Sequence, residues 1–179
     1  MALRGIDVST YQGNINWSAV KASGIDFAIV KATQGRAVNS NSYLFTDRQF
    51  AANVTGAHDV GLKVGVYHYL TAKTVKKAQT EAAHFCETIA PYKPRIELWA
   101  AVDVEEDKYL PRNKKLLSDI VNGTTQVTEG ISAGMGIDIK SLIMGALGGR
   151  MAADNNAPVV VVQPAKDVPA EQDEEPENE

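Results

Sequence analysis

The feature that most limits how this chain can fold is the regular alternation, across residues 3–105, of short apolar runs with helix-patterned stretches. Leu3 to Ser9 reads as a short strand, Trp17 to Ser23 carries helical spacing and stops at Gly24, and Phe27 to Thr33 is a nearly continuous apolar run. A run of that kind suits a strand buried on both faces, as in parallel sheets. Asp47 to Val60 reads as a helix closed by Gly61, and Val64 to Leu70 as a third strand. Val75 to Ile89 reads as a helix with Ala78, Ala82, Phe85 and Ile89 on one face, and Leu98 to Glu105 as a fourth strand. Strands separated by helices of this length build βαβ units with right-handed crossovers. An α/β fold with parallel strands in the order 1-2-3-4 is therefore predicted, with functional residues gathered at the carboxyl ends of the strands.

Those ends are rich in chemistry. The first strand finishes at Asp7-Val-Ser9 followed by Tyr11-Gln12-Gly13, the second at Lys31-Ala-Thr33-Gln34-Gly35, the third at Tyr67-His68-Tyr69, and the fourth at Asp103-Val-Glu105. On a strand, residues i and i+2 face the same side with Cα atoms roughly 6.5 to 7 Å apart, so Asp103 and Glu105 are expected to look into one space. Two carboxyl groups sharing a cleft do not both ionise cheaply; one is expected to keep a proton near neutral pH. An acid that protonates a leaving oxygen beside a carboxylate that steadies positive charge is the equipment for glycosidic bond cleavage. The plainer reading is a strand end running into solvated acids, continued by Glu106 and Asp107. Aromatic faces and amide groups around the pair suit a sugar chain, because rings stack on pyranose faces and hydroxyls are hydrogen-bonded. His68 is read first as a hydrogen-bonded core residue, and Tyr67 and Tyr69 as either packing or groove residues.

Composition narrows the classes of function. All twelve aromatic residues, Tyr11 to Tyr109, and all three histidines lie before residue 110, so the two halves do not read as one domain. The net charge of −4 is unevenly placed: residues 164–179 hold seven acids against Lys166, a local charge of −6, which leaves +2 over residues 1–163. Nothing in that balance points to nucleic acid. The single cysteine, Cys86, excludes an internal disulfide framework and reads as a packed, inert thiol. Met1-Ala-Leu-Arg4 runs into a strand with no apolar core of a signal peptide, and no run of 18 apolar residues occurs. The expectation is synthesis in the cytoplasm without a transmembrane segment, with action on the cell wall if the protein is released or exported.

Several motifs together resemble, in order and spacing, the amino-terminal half of glycoside hydrolase family 25, the Chalaropsis-type muramidases common as phage endolysins. They are Gly5-Ile-Asp-Val-Ser-Thr-Tyr-Gln-Gly13, Asn16-Trp17 with Val20-Lys21, Gly24-Ile-Asp-Phe-Ala-Ile-Val-Lys-Ala-Thr33, Gly61-Leu-Lys-Val-Gly-Val-Tyr-His-Tyr69 and Asp103-Val-Glu105. The resemblance implies a parallel-stranded, TIM-like β/α barrel that cuts the β-1,4 bond between N-acetylmuramic acid and N-acetylglucosamine in peptidoglycan, with no metal or other cofactor. It implies that Glu105 is the general acid, that Asp103 steadies an oxazolinium-like intermediate, and that Asp7 is the acid ending the first strand. Tyr67, Tyr69, Gln34 and Tyr11 would line the substrate groove. Participation of the substrate's acetamido group would make this a substrate-assisted reaction. Gln34 stands where the family often has Glu, keeping the hydrogen bonding and dropping a charge.

The motifs end just after Glu105, and a closed eight-stranded barrel usually takes at least about 200 residues. A partial barrel of four to five strands is therefore expected over residues 1–110, with activity impaired by the missing half. Residues 111–150 are expected to form short amphipathic helices of different origin: 113–121, and 139–147 with Asp138 as N-cap. Residues 151–179 are expected to be a disordered acidic tail, although 158–164 is strand-like between prolines. Residues 125–140 resemble the carboxyl-terminal tail of bacterial flotillins, which implies an assembly role. The unpaired outer strands and the 113–147 helices are the surfaces through which a homo-oligomer would form. The alternative to an enzyme is thus a non-catalytic peptidoglycan-binding or self-assembling protein.

Overall fold

In the computed structural model of the chain, residues 3–35, 44–104, 115–116, 119–120, 122–124 and 161–164 are described. The strands are β1 (Arg4–Val8), β2 (Phe27–Gly35), β3 (Leu44–Thr46), β4 (Lys63–Tyr69), β5 (Ala100–Asp103) and β6 (Val161–Pro164). The helices are α1 (Trp17–Ala22), α2 (Phe50–Asp59) and α3 (Val75–Ile89), with short 3-10 turns at Thr10–Gln12 and Ala90–Arg95. The sheet runs β5-β4-β2-β1-β6, every neighbour on that path being parallel, and β3 joins the end of β2 antiparallel. The four predicted strands thus lie in the predicted order, and among the described residues the sheet is open.

The helices α1, α2 and α3 cover one face of this sheet. Val8, Ala28, Val30, Ala32, Val64, Val66 and Ala100 pack there against Trp17 of α1, Phe50, Val54 and Ala57 of α2, and Phe85, Cys86 and Ile89 of α3. Helices confined to one side of a parallel sheet are the arrangement of a β/α barrel, whereas a doubly wound sheet carries them on both. The opposite, inner face holds a separate apolar cluster of Phe27, Ile29, Tyr67 and Ala101, with Tyr69, Leu98 and Trp99 against it. A Cβ built on Gly5 would sit 2.0 Å from the Phe27 ring, so the glycine is what lets that ring lie across β1 as a floor.

Helix boundaries follow local chemistry. Asn16 caps α1 through Ala19 N–H, and Thr74 caps α3 through Lys77 N–H. Asp47, read in the sequence as the start of a helix, instead lies buried before it. Its carboxylate accepts the Gln49 N–H at 2.9 Å and the Thr10 N–H at 2.9 Å, so the side chain competes with helical bonding and ties the turn after β1 to the start of α2. Strand β3 went unread because three residues give no period to detect.

Two observations bear on the second half of the chain. Ile120 is fully buried in a cluster with Leu70, Ala72, Ala78, Val102 and Val104, so it packs on the helix side of β5 and of the chain just past β4. Val161–Pro164, within the stretch expected to be disordered, pairs with Arg4–Asp7, so the outer edge of β1, expected to be bare, carries a strand. The helix expected at 139–147 and the flotillin-like stretch 125–140 lie outside the described residues. No helix among the described residues is long and apolar enough to cross a membrane.

Candidate active site

Strand alternation decides which side chains share the inner face. Ile6 and Val8 pack toward the helices, which turns Asp7 inward from β1; Val64, Val66 and Leu70 do the same, which turns Tyr67 and Tyr69 inward from β4. Val102 of β5 and Val104 just past it belong to the helix side and Ala101 to the inner cluster, so Asp103 faces inward and is only 4% exposed. The register places Tyr69 beside Asp103 and Lys31 beside Tyr67.

Strand β2 reaches the same face by breaking its own alternation. Lys31 pairs with Tyr67 and Thr33 with His68, so two residues of β2 advance against one of β4 and Ala32 is a bulge. Past the bulge the parity is inverted: Thr33 bonds to His68 on the helix side, and Gln34 joins Lys31 on the inner side, its Oε1 accepting from Lys31 Nζ at 2.5 Å. Bulges re-aim side chains in this way near functional sites. The Lys31 ammonium also lies 4.8 Å from the centre of the Tyr69 ring, within cation–π range.

Of the seven residues expected to form the site, Asp7, Gln34, Tyr67, Tyr69 and Asp103 share one face at the carboxyl ends of adjacent strands. In a flat sheet three spacings of about 4.8 Å would separate β1 from β5 by roughly 14 Å. Curling toward the inner face, the sense in which a barrel closes, brings side chains on that face closer than their backbones. Tyr11 stands apart: it belongs to the 3-10 turn beyond β1 and is 80% exposed. Its turn is held by a capping box in which Gln12 Oε1 accepts the Ser9 N–H at 2.7 Å and Ser9 Oγ accepts the Tyr11 N–H at 3.3 Å. Glu105 lies outside the described residues.

Sequence reading passed over Lys31 as a site residue. The available signal was a lysine inside a nine-residue buried strand, where an ammonium is costly without partners; here it is 8% exposed. His68 lies on the opposite side from the site, fully buried, with Nδ1 2.7 Å from Thr33 Oγ1 and Nε2 2.8 Å from Glu81 Oε2 of α3.

The family model described as "Glycosyl hydrolases family 25" matches residues 6–135, which carries the likeness well past Glu105. The "Autolytic lysozyme" of Clostridium acetobutylicum is 36% identical over 103 residues, 58% of this chain and 28% of that protein. "Lysozyme M1" of Streptomyces globisporus is 46% identical over 67 residues, 37% of this chain and 20% of that protein. The chain thus spans less than a third of the length of either relative. The crystal structure of the bacterial lysozyme from Streptomyces coelicolor aligns with a TM-score of 0.59 at 26% identity, over 81% of this chain and 63% of that one.

Proposed function

The chain belongs to glycosyl hydrolases family 25, and on that premise we propose that it is a muramidase, hydrolysing the β-1,4 bond between N-acetylmuramic acid and N-acetylglucosamine in the peptidoglycan of the cell wall. The observation that carries this reading is the gathering of Asp7, Gln34, Tyr67, Tyr69 and Asp103 on one face at the carboxyl ends of β1, β2, β4 and β5. The names of the two lysozyme relatives support the same class of reaction.

In the proposed mechanism Glu105 gives its proton to the glycosidic oxygen as the bond to the anomeric carbon breaks. The acetamido oxygen of the N-acetylmuramic acid residue attacks that carbon, and Asp103 steadies the cationic oxazolinium that results. Glu105, now ionised, takes a proton from the water that opens the ring, which restores the acid and leaves a new reducing end. Asp7 supplies the carboxylate on the far side of the cleft. Tyr67 and Tyr69 offer faces to the pyranose rings, and Gln34, held by Lys31, offers its amide N–H to a sugar oxygen. In this reading the working module continues past residue 110 through residue 124, because Ile120 completes the core cluster beneath β4 and β5.

Digestion of purified cell walls, followed by borohydride reduction and hydrolysis of the products, tests the proposal. Reduced muramic acid is the expected new end group. Reduced glucosamine would contradict the assigned bond, and wall binding with no new ends would favour the non-catalytic alternative.

A further inference from the structure

Behind the site, on the helix side of the sheet, lies a buried polar cluster that the proposed chemistry does not use. Glu81 of α3 is 0% exposed; among the described residues its carboxyl group accepts from Thr71 N at 3.1 Å and from Thr71 Oγ1 at 3.2 Å, and its Oε2 lies 2.8 Å from His68 Nε2. One carboxyl group thus ties both the Thr71 backbone and hydroxyl and the His68 imidazole to α3. The second ring nitrogen, Nδ1, meets the Thr33 hydroxyl at 2.7 Å. The network therefore joins α3, the loop after β4, β4 itself and β2. A carboxyl group fully removed from water is costly unless its polar atoms are partnered, and the cost of losing one partner is correspondingly large.

The placement matters more than the pairing. Thr33–His68 is the first register pair after the bulge at Ala32, the irregularity that turns Gln34 to the inner face. His68 stands between Tyr67 and Tyr69, and Thr33 directly precedes Gln34, so both strand members of the network adjoin residues on the inner face. Gly35 closes the unit: a Cβ there would lie 2.0 Å from Glu81 Oε1 and 2.2 Å from Thr71 Oγ1, so the strand approaches the carboxylate as closely as it does only because the position is glycine. Apolar packing of the same volume would hold α3 to the sheet; a directional bond to Thr33 fixes a register.

We propose that the Glu81–His68–Thr33 chain is a positioning unit that locks the β2 bulge and so sets the glycan-facing orientation of Lys31, Gln34, Tyr67 and Tyr69. The proposal rests on the reading that this inner face receives glycan, and its primary readout does not need hydrolysis. The test compares wild type with Thr33→Val, which removes the hydroxyl at constant volume, and Thr33→Ser, which keeps it. Site-resolved amide hydrogen exchange is measured on the full chain, together with retention on insoluble peptidoglycan.

Thr33→Val is expected to lower exchange protection at residues 31–35 and 67–69 by about five- to tenfold, the size of one buried hydrogen bond, with residues 5–8 and 28–30 unchanged. It is expected to weaken wall binding by a similar factor, and Thr33→Ser is expected to restore both. Glu81→Gln, which replaces one of the two acceptor oxygens that face His68 and Thr71 with an amide, is expected to show the same regional pattern more strongly. Protection lost evenly along the chain, or unchanged at 31–35 with wild-type wall binding, would overturn the proposal. If wild type binds no wall, the functional reading fails, while regional exchange still judges the positioning unit.

Discussion

Cys86 illustrates how burial sets the reactivity of a residue. It is a free, buried cysteine, and burial, with Glu87 adding to it, pushes the thiol up to about 11. The nucleophilic thiolate is therefore scarce at neutral pH. Iodoacetamide at pH 7.5 is expected to leave the native protein unlabelled and to label it fully in urea, as read by intact mass; rapid native labelling would contradict the packing described for α3. His84 moves the other way: burial lowers it, its electrostatic interaction with the His68 imidazole adds to that, and Glu87 and a hydrogen bond to the Phe45 backbone oppose. A histidine whose folded value lies below the unfolded 6.5 binds protons more readily when unfolded. Its contribution to stability is then intact above pH 6.5 and lost as pH falls through the folded value. The urea midpoint is expected to fall on going from pH 7.5 to 5.5, and less steeply in His84→Gln; an equal slope in both would exclude His84 as the cause. The inner-face placement of Asp7, Tyr67, Tyr69 and Asp103 was legible because strand alternation reaches it directly, whereas Gln34 was named from motif spacing alone. Lys31 was not, since its inner placement becomes meaningful only beside Gln34 and Tyr69. The partner of His68 lies in the next helix, where no local pattern points.

At the scale of elements, α3 was readable to its ends because its buried residues Ala78, Ala82, Phe85, Cys86 and Ile89 keep helical spacing and Thr74 caps it. Phe85 is completely buried against the sheet, so Phe85→Ala is expected to cost about 3–5 kcal/mol in urea unfolding. A loss below about 1 kcal/mol would mean that α3 is not packed as described. Strand β2 was only partly readable. Its apolar run gave its existence, but the bulge at Ala32 leaves no mark in hydrophobicity, and simple alternation over 31–35 would have sent Gln34 to the wrong face. Gly35→Ala tests that geometry: its methyl would enter the space of Glu81 and Thr71, both buried and bonded, and overpacking of this kind costs about 1–3 kcal/mol. A neutral result would show that the strand and α3 separate easily.

For the whole molecule, the parallel order of four strands followed from the alternation of elements, because short right-handed crossovers allow few other arrangements. What covers the sheet beyond β5 did not follow. Composition changes at residue 110, yet Ile120 packs into the cluster of Leu70, Ala78 and Val102, and a core contact is set by shape and apolarity rather than by aromatic content. Ile120→Ala is expected to destabilise the strands themselves by about 2–4 kcal/mol and to shift one cooperative transition; an unchanged midpoint would make the segment a separate appendage. The proposed function makes the inner face a saccharide cleft that Asp103 and Glu105 serve. Its most direct measurement is the release of new reducing ends from purified peptidoglycan by wild type and by Glu105→Gln at equal concentration. The account predicts steady release by wild type and a loss of at least about a hundredfold in the variant, the usual range for a general acid. Equal release by the two proteins would contradict it.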